Sequence, residues 1–106
     1  MIDMVNCMSE LNNVKTIVIT FKLHAPWVHS LKEKRMIVKG LLAKIHNKFH
    51  VSVAEVSSQD THQIIVIGIA GIVPYDSMAD NLVNEISDFI EENTEAEILE
   101  GDWEIR

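Results

Sequence analysis

An α+β domain, with two helices on one face of a four-stranded antiparallel sheet, is what this chain predicts on three grounds. Apolar residues alternate at period two over residues 14–24 and again, more densely, over 64–73. Two other stretches, 31–45 and 78–90, carry apolar residues at helical spacing. Turn and cap residues separate these segments in the order strand, helix, strand, strand, helix, strand.

Residues 1–13 hold no sustained period and end in Ser9-Glu10-Leu11-Asn12-Asn13, so they are expected as a flexible lead-in before a single domain over 14–106. In the first strand Ile17, Ile19, Phe21 and Leu23 share one side, with Thr16, Val18, Thr20 and Lys22 on the other. Ala25-Pro26-Trp27-Val28-His29 turns the chain. Ser30 followed by Glu33 has the spacing of a capping box, which satisfies the free amides at a helix start. Leu31, Val38, Leu41, Leu42 and Ile45 then gather on one helix face.

Phe49–Val56 is β-branched and alternating, and Ser57–His62 is a polar connection. In the third strand, Ile65, Ile67 and Ile69 lie on one side and Ile64, Val66, Ala70 and Ile72 on the other. Pro74 stops it, and Asp76 or Ser77 is expected to cap a helix whose stripe is Met78, Leu82, Val83, Ile86, Phe89 and Ile90. Glu97–Ile105 supplies a last, acidic strand. The order β-α-β-β-α-β is the split arrangement called ferredoxin-like, with expected strand order 4-1-3-2.

With helices on one face only, the apolar second side of the third strand needs a cover. Self-association through Val18, Ile64, Val66, Ala70 and Ile72, as a homodimer or higher oligomer, is the expectation; the alternative is the lead-in folding over that face through Met4, Val5 and Met8.

The lone Cys7 cannot form an internal disulfide, which fits a reducing compartment. The longest apolar run is too short to span a bilayer, and no basic segment followed by an apolar block opens the chain. A cytoplasmic protein with no membrane partner is expected. The net charge of −7 hides segregation: Lys32, Lys34, Arg35, Lys39, Lys44 and Lys48 fall within 32–48, whereas no Lys or Arg occurs over 49–105.

Several chemistries of this fold lack their residues. An RNA-recognition motif stacks bases on aromatics of the middle strands, and residues 64–73 contain none. A paired-cysteine metal loop is excluded by a single Cys, and no Gly-rich phosphate loop occurs among Gly40, Gly68, Gly71 and Gly101. No metal site or cofactor is expected, because His24, His29, His46, His50 and His62 do not compose a ligand set. Glu55, amid Val51, Val53, Ala54 and Val56, reads as an edge-strand residue with its carboxylate in solvent rather than as a catalytic group; no companion acid or base is fixed near it. No catalytic residue is assigned.

The basic helix is the remaining lead. Lys32, Arg35 and Lys39 line one side of it, Lys34 lies near its start, and Trp27 offers a stacking surface or a packing contact in the adjoining loop. The competing expectation is that the acidic second helix neutralises one flank.

The stretches "HSLKEKRMIVKGLLAKIHNKF", "VSVAEVSSQD" and "QIIVIGIA" resemble the YlxP-like family of small bacterial proteins, a domain of unknown function, over about residues 15–105. The resemblance implies the ferredoxin-like fold. Members of that family are often encoded near ribosome-maturation and translation-initiation factors, which implies ribosome-associated work, but it brings no catalytic residues. It singles out positions of unknown role: His29, Ser30, Glu33, Glu55, Gln59, Asp60 and Gln63.

Three functions are therefore expected in competition. The first is a non-enzymatic protein that sets Lys32, Lys34, Arg35, Lys39 and Trp27 against ribosomal RNA or ribosomal proteins. The second is a self-assembling or protein-binding module using the open sheet face and the acidic second helix. The third is a small-ligand sensor or enzyme built from Glu55, Gln59, Asp60 and the His24–His29 loop.

Overall fold

The structure is a computed structural model that describes residues 14–58 and 61–106. The lead-in over 1–13, with Met4, Val5, Cys7 and Met8, lies outside the described residues, as do Gln59 and Asp60. The elements are β1 (Lys15–His24), α1 (Leu31–Phe49), β2 (Ser52–Ser57), β3 (Ile64–Val73), a 3₁₀ turn (Asp76–Met78), α2 (Ala79–Asn93) and β4 (Glu97–Ile105). All strand pairs are antiparallel in the order β2-β3-β1-β4, the predicted ferredoxin-like sheet read from its other edge.

Period-two alternation builds the core. Ile17, Ile19, Phe21 and Leu23 of β1 and Ile65, Ile67, Ile69 and Val73 of β3 are buried on the helix side. Val38, Leu41 and Ile45 of α1 and Ile86 and Ile90 of α2 close over them. Phe49 and Phe89 meet edge to face between the helices, with ring centroids 5.4 Å apart.

Three boundaries differ from expectation. α1 runs on through Phe49, because His50 takes a left-handed C-cap conformation (φ 56°) and its N–H donates to the His46 carbonyl; the second strand therefore starts at Ser52, not Phe49. Neither Asp76 nor Ser77 caps α2 with its side chain: the chain turns first through a 3₁₀ turn, leaving Met78 as an N-cap without a side-chain bond. Met78 thereby drops out of the expected stripe and is 45% exposed.

The opposite face of the sheet is uncovered by any described element. Val18, Ile64, Val66, Ala70 and Ile72 lie on it by alternation, with Ile72 74% exposed. Gly68 permits a close approach there, since a Cβ at that position would stand 2.8 Å from Cγ1 of Val56.

Candidate functional site

The start of α1 is held by reciprocal bonds. Ser30 is in extended conformation and its hydroxyl accepts from the Glu33 N–H, while the Glu33 carboxylate accepts from the His29 N–H. The predicted capping box is thus formed. Its carboxylate also stands at the positive end of the helix, so an anion docking here must be held by side-chain cations rather than by free amides.

One turn further in, the structure corrects the sequence reading. Lys34 is completely buried and cannot contact a phosphate. Its ammonium donates to the carbonyl oxygens of Ser58 (2.6 Å) and Thr61 (2.7 Å) and pairs with the Glu55 carboxylate at 2.8 Å. Three donors meet three acceptors, which is what makes a buried lysine tolerable. Glu55 is corrected too: its side chain is 15% exposed and faces α1 rather than solvent.

Lys34 therefore fastens the β2–β3 connection to the first helix. Ser58, in left-handed conformation at φ 57°, turns its carbonyl toward the ammonium. Gln63 continues the fastening on the far side of the connection. Its side-chain amide donates to the carbonyls of Pro26 (3.0 Å) and Val28 (3.3 Å), and its own carbonyl accepts from the Ala25 N–H. His29, Ser30, Glu33, Glu55 and Gln63, widely separated in sequence, are thus joined with Lys34 in one network that locks two connections to the helix start. Within that network the lysine is sealed from solvent and the Glu55 carboxylate is engaged with it, whereas His29 and Ser30 are exposed.

What faces solvent is the outer side of α1. Lys32, Arg35 and Lys39 are exposed along it, with Met36 69% exposed among them. The described residues contain two ion pairs, Lys34 with Glu55 and Arg106 with Glu104, so none joins these three cations, or Lys44 and Lys48, to the acids of α2. Trp27 is 37% exposed. It borders a groove of about 430 Å³ that runs past Met36, Gly40 and Lys44 to Asn93 and Glu95 at the end of α2.

The histidines are dispersed. Nδ1 of His46 donates to the Val51 carbonyl at 2.8 Å, and among the described residues no three His, Cys, Asp or Glu side chains cluster to hold a metal. No helix among them is long and apolar enough to cross a membrane.

Residues 16–103 match the family described as "Protein of unknown function (DUF503)". The chain belongs to that family. It is 36% identical over 76 residues to "Uncharacterized protein YlxP" of Bacillus subtilis (strain 168), a match covering 70% of this chain and 83% of that protein. Among solved structures it is similar to the de novo designed protein Foldit4, at 12% identity and TM-score 0.46 over 88% of this chain and 96% of that one. It is also similar to a mutant of SnoaB, a cofactor-independent oxygenase from Streptomyces nogalater, at 8% identity and TM-score 0.41 over 89% and 91%. Likenesses this distant carry nothing about function.

Proposed function

We propose that this protein is a non-enzymatic RNA-binding protein that lays the outer side of α1 against the phosphates of structured RNA, in the ribosome or its precursors. The observation that carries the reading is the exposed line of Lys32, Arg35 and Lys39, which has no acidic partner among the described residues. A chain of net charge −7 gains nothing in solubility from concentrating its cations on one helix face; a polyanion does gain a docking line from it. Trp27 and Met36 flank that line with exposed apolar surface against which a base or ribose can pack. Lys34 has no part in the contact, since its role is internal.

The test is co-sedimentation with small and large ribosomal subunits at low and moderate salt, beside a Lys32, Arg35, Lys39→Glu triple variant. Three phosphate contacts give an affinity that falls with roughly the second to third power of salt concentration. Binding with that slope, abolished in the folded variant, is the expected result. Equal binding by both proteins, or none by either, overturns the reading.

A further inference from the structure

The open sheet face is divided lengthwise by its chemistry. Over β1 and β4 it carries Lys22, Glu100, Asp102, Glu104 and Arg106 among threonines, with Glu104 and Arg106 paired to each other. Over β3 and β2 it carries Val66, Gly68, Ala70 and Ile72 beside Ala54 and Val56, and no charged side chain. Val56 is 51% exposed, and Ala54, Gly68 and Ala70 form a shallow apolar floor beside it. At about 4.8 Å between strands and about 3.3 Å per residue, this uncharged strip is roughly 10 Å wide and, over the ten residues of β3, roughly 33 Å long. Its width is that of one polypeptide element, since a helix with its side chains is about 10–12 Å across. A second copy of the sheet fits it poorly. Turned about an axis across the strands, the partner sets its carboxylates over those of the first copy; turned about an axis along them, it sets its charged half over the strip or overlaps it by two strands only. The strip calls for a single apolar segment.

Such a segment is attached beside its end. Residues 1–13 enter β1 through Val14, and there Lys15 stands opposite Val73 and Thr16 opposite Ile72, so they join the sheet one strand away from the end of the strip. Seven of the thirteen are apolar, three of them methionines, and none is Lys or Arg. We propose that residues 1–13 fold back from β1 and lie along the strip over β3 and β2, closing it within the monomer.

Asn12 and Asn13 supply the reversal, being residue types that take turn conformations readily. The residues before them span up to roughly 36 Å when extended, enough to run the length of the strip. Met4 and Met8 are unbranched and adaptable, which suits the uneven floor that Gly68 and Ala70 leave between Val56 and Ile72. Asp3 and Glu10 are repelled by the carboxylates of β4, which keeps the segment on the β2 side of the face. Tethering also removes the need for a large interface. A short linker holds the segment at an effective concentration on the order of millimolar, so a contact too weak to join two chains closes within one.

Methyl NMR on the full chain and on a chain starting at Val14 tests this, with sedimentation velocity giving the size of each. In the full chain, a monomer, the methyl resonances of Val56, Val66, Ala70 and Ile72 are shifted from their positions in the shortened chain, while those of Val38, Leu41 and Ile45 in the helix layer are not. Met4→Asp, Val5→Asp and Met8→Asp, combined in the full chain, return the strip resonances to their positions in the shortened chain. Cys7 is the lone cysteine, so a nitroxide attached there reports where the segment lies. It broadens the amides of Ala54, Gly68 and Ala70 several-fold more than that of Ala43, exposed on the outer side of α1. The nitroxide is read on the full chain, so it decides the question even where the shortened chain fails to fold. Strip resonances identical in the two chains overturn the proposal, as does broadening that is equal on both layers or strongest in the groove beside Trp27 and Gly40. A full chain that dimerises as tightly with residues 1–13 as without them overturns it too, and assigns the strip to a second copy. None of these readouts involves RNA, so this inference and the function proposed above fail separately.

Discussion

Lys34 on α1 and Glu55 on β2 form an ion pair at 2.8 Å in which the lysine is entirely buried, and the same ammonium binds the backbone of the connection that follows β2. A charge in that position ties sheet to helix and fixes the course of a connection.

Removing the lysine takes its ammonium away from a largely buried carboxylate and from two backbone carbonyls. Lys34→Met is expected to destabilise the fold by about 3 kcal/mol, the magnitude typical when one partner of a buried pair is lost. Adding Glu55→Leu recovers part of that loss, because the carboxylate that faced the ammonium is removed with it, but not the anchoring of Ser58 and Thr61. Urea unfolding of the two single variants and the double variant measures the coupling. Amide hydrogen exchange at Thr61 and its neighbours remains accelerated in the double variant; protection equal to wild type there would show that the ammonium does not hold the connection.

Gln63→Ala removes the side-chain amide that bridges to Pro26 and Val28. The expected cost is about 1 kcal/mol for two bonds at a partly exposed site. In a domain of this size that is a fall of about 4–8 °C in melting temperature. Gln63→Glu, which keeps the length but replaces the donor by an acceptor facing two carbonyls, is expected to melt lower still.

Gly68 and Val56 make a reciprocal prediction. A methyl at position 68 meets Val56 Cγ1 at 2.8 Å, so Gly68→Ala pushes the valine side chain aside and costs about 1 kcal/mol in packing. Combining it with Val56→Ala removes the clash. Thermal melts in which the double variant is no more stable than Gly68→Ala alone would place the strain elsewhere.

Much of the fold was legible because its signals are periodic and local. The alternation in β1 placed Ile17, Ile19, Phe21 and Leu23 together, the Ser30 and Glu33 spacing marked the helix start, and the split order of elements led to the sheet order. The misreadings have physical causes. Charge alone groups Lys34 with Lys32 and Arg35, yet it precedes Val38 by four residues and Leu41 by seven, which puts it in the middle of the buried stripe. Glu55 likewise shares its side of β2 with Val53. Two opposite charges, each in phase with the core on neighbouring elements, were the signal available. The backbone contacts of Ser58 and Thr61 had no such signal, because a left-handed serine in a polar connection leaves no period in the sequence.

The central place of β1 in the sheet also sets how the chain must fold. Its neighbours on either side are β3 and β4, so Ile17 has to find Gly71 on one edge and Ile105 on the other. Both searches close long loops before any ladder forms, and that entropy is met before the contacts reward it. Local helix formation in α1 and α2 does not shorten the wait. Refolding is therefore governed by topology, at a rate between those of helical bundles and all-β domains, with β1 exposing unpaired backbone until its distant partners arrive.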